Sequence, residues 1–129
     1  LYFLNTKEYD NENDNSNVIY SELNGYKFMF MGDTGAEKEK DILNKYNIHG
    51  IDVLKIGHHG SKTSSSQEFI NEINPNYSII SAGKNNRYGH PNKEVLNNLS
   101  DSKIYRTDQD DSIMFKIKNN KLKIETCSP

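Results

Sequence analysis

Residues 51–66 read IDVLKIGHHGSKTSSS, an apolar run that breaks into two adjacent histidines held between two glycines. Val53, Leu54 and Ile56 are the branched residues of a buried strand, expected from Ile51 to Ile56. Gly57 and Gly60 permit the tight turns that leave His58 and His59 at its carboxyl end. Imidazoles carried there by a rigid strand are placed to bind a ligand. The same pair would equally suit an exposed loop without a role, so its meaning depends on what the flanking segments bring beside it.

Upstream, Val18 to Leu23 and Tyr26 to Met31 are apolar-rich runs joined by Asn24-Gly25, a strong hairpin signal. The second run ends in Gly32-Asp33-Thr34. Thr34 and Glu37 have capping-box spacing, which predicts a helix over Ala36–Tyr46 with Ile42 and Leu43 inward. Asp33 then lies between a strand's carboxyl end and a helix start, where an aspartate also serves as a cap or dipole partner. Leu1 to Leu4 reads as the end of a strand. Asn5 to Asn17 is a polar loop (5–17) expected to be too hydrophilic to pack.

Downstream the strand–loop–helix unit repeats. Ser65 and Glu68 form a second capping box for a short helix that must end ahead of Pro75. Strand Tyr77–Ser81 leads into the loop Ala82–His90, and Pro91 is expected at the first position of a helix running to Leu99. A short strand near Ile104 follows, then a hairpin, Ile113–Ile117 and Leu122–Ile124, turned by Asn119-Asn120 and expected to be a structural edge. Strands alternating with helices give the α/β class. Ligands in such sheets bind beyond the carboxyl ends of the strands, so the loops carrying Asp33, His58/His59 and Asn85–His90 converge on one site.

Composition bounds the chemistry. The chain has 129 residues, one domain or part of one, and only 33% hydrophobic residues. Its asparagines are scattered through patterned elements and belong to solvated surface and loop ends. A net charge of -2 argues against general attraction to nucleic acid but leaves room for a local basic rim from Lys62, Lys84 and Arg87. No apolar run approaches the ~20 residues of a membrane span, and no signal-peptide pattern is present, so the chain as given reads as soluble. Cys127 is the single cysteine and has no partner for an internal disulfide.

An aspartate and two or three histidines from separate strand ends are donors that Zn²⁺, Mn²⁺ or Fe accept, and their dispersion suits an enzyme site better than a structural zinc knot. His90, preceding Pro91, is equally a helix-start residue. His49, beside Gly50 in a turn, reads as surface.

The ordered set Asn11–Ser16, Phe30-Met31-Gly32-Asp33, Val53–Ser64 with His58-His59 at its centre, Ser81-Ala82-Gly83, Asn86-Arg87-Tyr88-Gly89-His90-Pro91 and Arg106-Thr107-Asp108 resembles the metallo-β-lactamase-fold domain of the ComEC/Rec2 competence proteins. The likeness runs over nearly the whole chain. It implies an αββα sandwich with a two-metal hydrolytic site using Zn or Mn. Asp33 matches the bridging aspartate. The His58-His59 pair matches the late histidine ligand, taken by His59 with His58 reaching substrate, or by His58.

Two departures qualify the resemblance. The aspartate-rich histidine motif that supplies most ligands belongs to the first half of that fold and is absent. Residues 1–129 thus resemble a C-terminal half domain: a mixed sheet, helices on one face and a C-terminal hairpin. Such a fragment would hold metal weakly, be inactive alone, need the missing N-terminal half and self-associate through an exposed apolar face. The second departure is Asp110-Asp111-Ser112, where the family carries a glycine.

The function implied is a metal-dependent hydrolase cleaving DNA phosphodiesters during uptake, as a soluble domain of a membrane protein on the extracytoplasmic face. The catalytic candidates are Asp33, His58 and His59, and those for substrate contact are Ser61, Lys62, Asn86 and His90. The alternatives are a free-standing secreted hydrolase acting on another phosphoester or a lactone, and a DNA-binding module with a decayed metal site.

Overall fold

The computed structural model describes residues 1–127. Its main sheet has six strands in sequence order: β1 (Tyr2–Phe3), β2 (Ile19–Leu23), β3 (Tyr26–Phe30), β4 (Val53–Lys55), β5 (Tyr77–Ile80) and β6 (Lys103–Arg106). β1, β2 and β3 pair antiparallel, whereas β3 to β6 are parallel. The three parallel crossovers carry α1 (Ala36–Lys45), α2 (Gln67–Ile73) and α3 (Lys93–Asn98). Each crossover steps to the next strand in the same direction, so right-handed connections put all three helices on one face.

Period-two alternation divides the sheet's side chains between two cores. Met29, Leu54 and Ile80 pack with Ile42 of α1, Phe69, Ile70 and Ile73 of α2, and Val95 of α3. Phe28, Val53 and Ile79 point the other way. That second face carries an antiparallel hairpin, β7 (Ser112–Lys118) and β8 (Lys121–Cys127), whose Ile113, Phe115, Ile117 and Leu122 close over it.

The hairpin is therefore a separate layer and not the edge expected from its sequence. Period two specifies a strand but not its docking place. The Phe28 and Phe115 rings meet edge to face at 6.3 Å. The Tyr26 hydroxyl donates to Asn120 O at 2.8 Å and accepts from Leu122 N at 3.0 Å, pinning the hairpin's tip. The face from which self-association was expected carries this layer. Before it, α4 (Thr107–Asp110) holds a bidentate Arg106–Asp108 pair at 2.9 and 2.6 Å. Within Asp110-Asp111-Ser112, Asp111 adopts φ 57°.

The expected helix starts shift. Thr34 does not cap α1. Its hydroxyl is buried without a hydrogen-bond partner among the described residues, and the cap position falls on Gly35. The free amides at this helix start are met from far away: Gly35 N–H donates to Asp14 Oδ1 at 2.7 Å and Ala36 N–H to Thr63 O at 2.9 Å.

Asp14 is buried, so the 5–17 segment is not a solvated tail as its composition suggested. It forms a 3₁₀ turn at Glu12–Asn15, and Leu4 and Tyr9 beside it are buried. α2 is capped by Ser66, whose Oγ accepts from Phe69 N at 3.3 Å, one residue later than the expected Ser65. α3 is capped by Asn92 and begins at Lys93, so Pro91 precedes the helix instead of opening it. No described helix is long and apolar enough to cross a membrane.

Glu39 explains the shift at α2. Buried on α1, its carboxylate accepts from Ser65 N–H at 2.5 Å and Ser66 N–H at 3.0 Å, joining α1 to the start of α2. Burial pushes its pKa up, and the two amide bonds oppose that rise. Glu39→Ala leaves two buried amides unpaired, and we expect it to lower stability by about 3 kcal/mol in a urea melt. An effect below about 1 kcal/mol would show that the contact is not structural.

Candidate functional site

The site is built where three loops at the carboxyl ends of parallel strands are pressed together. His58 N–H donates to Gly32 O at 2.9 Å, joining the loop after β4 to the loop after β3. A Cβ on Gly57 would lie 2.9 Å from Thr34 O, and one on Gly60 would lie 2.7 Å from Pro91 Cβ. Both glycines are thus required by close approach, with Gly60 also at φ 78°. Asn92 N–H donates to Gly60 O at 2.8 Å and ties in the third loop.

Between these glycines His58 and His59 both take left-handed backbone angles, φ 46° and 55°. Strand alternation does not continue through them. The Ser64 hydroxyl straps the turn by donating to Gly57 O and Ser61 O, each at 3.0 Å. Ser61 is buried, and its Oγ lies 3.1 Å from Thr63 Oγ1. It serves the turn and is not open to a substrate.

The left-handed turn gives the two rings different neighbours. His59 Nε2 lies 4.0 Å from Asp33 Oδ1, while its Nδ1 lies 2.7 Å from Ser81 O. A carbonyl only accepts, so Nδ1 carries the proton and, in the neutral ring, the Nε2 lone pair faces Asp33. A backbone carbonyl that fixes the tautomer in this way is the usual outer support of a ligating histidine. His58 instead has Nδ1 3.5 Å from Thr63 Oγ1 and lies edge-on to His90, with ring centroids 5.9 Å apart.

Asp33 and His59 are therefore donors of a type that a divalent cation accepts, with Oδ1 and Nε2 4.0 Å apart. Among the described residues no group of three or more histidine, cysteine, aspartate or glutamate side chains converges as a metal site. Further donors would have to come from outside residues 1–127.

His90 is held below the ordinary imidazole range by burial, with His58 and His59 adding to the effect. Lys62 and Arg87 are exposed, whereas Lys84 pairs with Asp111 at 2.8 Å, which weakens its part in a basic rim. His49 lies away from the site, with Nδ1 3.6 Å from Glu72. The Asn86 amide is used inside its own loop: Nδ2 donates to Gly83 O at 3.0 Å and His90 O at 2.6 Å, and Oδ1 accepts from His90 N at 2.9 Å.

Two residues near the site carry no sequence signal of their role. Lys55 is half-buried on β4 and donates to Ile56 O at 3.1 Å. Burial lowers its pKa, and the charge of Asp33 opposes that. Tyr88 stacks on His90 with centroids 5.8 Å apart and planes at 26°.

With this geometry in view, the relatives of the chain can be compared. It is 43% identical over 110 residues to ComE operon protein 3 of Bacillus subtilis, a match over 84% of this chain and 14% of that protein. It is 36% identical over 119 residues to Competence protein ComA of Neisseria gonorrhoeae, covering 88% of this chain and 17% of the relative. Recombination protein 2 of Haemophilus influenzae is 34% identical over 88 residues, covering 68% and 11% respectively. These homologues indicate a ComEC-related competence family. No family model matches the chain. The matched segment is less than a fifth of the length of these competence relatives.

Asn86→Ala removes three loop hydrogen bonds. We expect a loss of about 2 kcal/mol in thermal stability and faster proteolytic nicking between residues 83 and 90. Unchanged stability with weakened substrate affinity would instead mark Asn86 as a direct substrate contact.

Proposed function

We propose that this chain is part of a metal-dependent hydrolase domain that cleaves DNA phosphodiesters during uptake, in a membrane-embedded competence protein with this domain on the extracytoplasmic face. The observation that carries the reading is the Asp33–His59 pair, 4.0 Å apart, with the far nitrogen of His59 locked onto Ser81 O. The names of the competence relatives support the DNA context. The remaining donors would come from the other half of a metallo-β-lactamase-type sandwich.

In this reading the cofactor is one or two divalent cations, Zn or Mn, which supply a Lewis acid and an activated water when bound. Asp33 and His59 hold that centre. His58 lies against His90, and in this reading His58, His90 and Lys62 contact the phosphate held at that centre. The Ser64 strap keeps the turn from relaxing, so the two histidines keep separate roles. A DNA-binding module without catalysis is the second reading, favoured by the incomplete donor set among the described residues.

The test is cleavage of a labelled DNA strand by the full-length protein in Mn²⁺, with metal content measured by mass spectrometry. Asp33→Ala and His59→Ala should each lose metal and more than ~100-fold in turnover, whereas His90→Ala should lose on the order of 10–100-fold with metal retained. Near-normal cleavage and full metal content in Asp33→Ala would overturn the metal-dependent hydrolase reading, as would an intact protein that shows no cleavage with any divalent metal.

A further inference from the structure

Tyr88 is 76% exposed, at the tip of a loop that is otherwise tightly made. Scattered exposed apolar side chains are ordinary on protein surfaces, so exposure alone says little. What sets this ring apart is its support. It stacks on His90, and His90 in turn meets His58 edge to face. Asn86 clamps the loop beneath it through Gly83 and His90.

The ring also forms one wall of a cavity of about 180 Å³, with His59, Ala82, Gly83, Asn86 and His90 around it. Ala82 and Gly83 add little bulk to the lining, and a Cβ on Gly83 would meet nothing within 4 Å, so room is left beside the Tyr88 ring for a planar group. His59 links the slot directly to the Asp33 pair.

We propose that Tyr88 is a stacking platform for an unpaired nucleobase, the one joined to the phosphate held beside His59. The proposal rests on the DNA reading above and names its substrate class as single-stranded DNA. One sugar tethers a base to its phosphate, so a planar slot adjoining a phosphate site is within a base's reach. Bases inside a duplex are already stacked on one another, and only an unpaired base can offer its face to Tyr88. Every base has such a face, so the contact tolerates any sequence.

The test measures binding by the full-length protein in EDTA, where cleavage does not interfere. The probes are a fluorescein-labelled single strand, the same strand with abasic sites, and the corresponding duplex. Tyr88→Phe should bind the normal strand within about twofold of the unmodified protein. Tyr88→Ala should bind it at least ~10-fold more weakly, and Tyr88→Leu, which keeps apolar area without a π face, should behave like Tyr88→Ala.

All four proteins should bind the abasic strand alike. The proposal fails if the unmodified protein binds normal and abasic strands equally. It fails too if Tyr88→Phe loses as much as Tyr88→Ala, or if duplex binds more tightly than single strand with no dependence on residue 88. Base-dependent binding in a protein that shows no cleavage with any divalent metal overturns the hydrolase reading alone. Absence of any DNA binding overturns both.

Discussion

The structure depends on a backbone constraint: two consecutive non-glycine residues, His58 and His59, held in left-handed conformation at the end of a buried strand. Each such residue costs roughly 1–2 kcal/mol relative to right-handed backbone. The cost is offset locally. Gly57 and Gly60 admit Thr34 and Pro91 to distances no side chain would allow, and amide bonds from His58 to Gly32 and from Asn92 to Gly60 fasten the neighbouring loops. The turn that separates the two imidazoles is therefore also the junction of three crossover units. Disturbing it would move Asp33, His59 and His90 together.

Much of the fold is legible in the sequence because its local signals agree. Asn24-Gly25 and Asn119-Asn120 both adopt positive φ at two successive residues, as two-residue hairpin turns require. The repeated strand–loop–helix pattern after β3, β4 and β5 points their carboxyl ends the same way, as the parallel pairing shows. What is not legible was decided by partners distant in sequence. The capping-box spacing pointed to Ser65, but Glu39, buried on another helix, engages the amides of Ser65 and Ser66, and Ser66 becomes the cap. The composition of residues 5–17 reads as solvated, yet one buried carboxylate, Asp14, ties the segment to the start of α1 by accepting from Gly35 N–H.

The site shows the same division. Spacing alone brings Asp33 and the histidine pair to one end of the sheet. It does not say which ring faces Asp33, because alternation ends where the left-handed turn begins. Ser61 and Asn86 have the composition of substrate contacts, but their polar atoms are committed to holding their own loops. Tyr88 carries no local signal at all. Its place is set by stacking on His90, a contact visible only once the loop has closed.

The late position of the hairpin has a consequence for synthesis. Tyr26 is fastened to Asn120 and Leu122, so the sheet face formed by Phe28, Val53 and Ile79 is covered by residues made almost 100 positions after its first strand. The three crossover units can assemble on their helical side as they emerge from the ribosome. Among the described residues, the other face is covered last, by residues 112–127. Of the two cores within these residues, the helical one is built by successive crossovers, whereas the other needs a contact across nearly the whole segment, the kind of non-local pairing that slows folding.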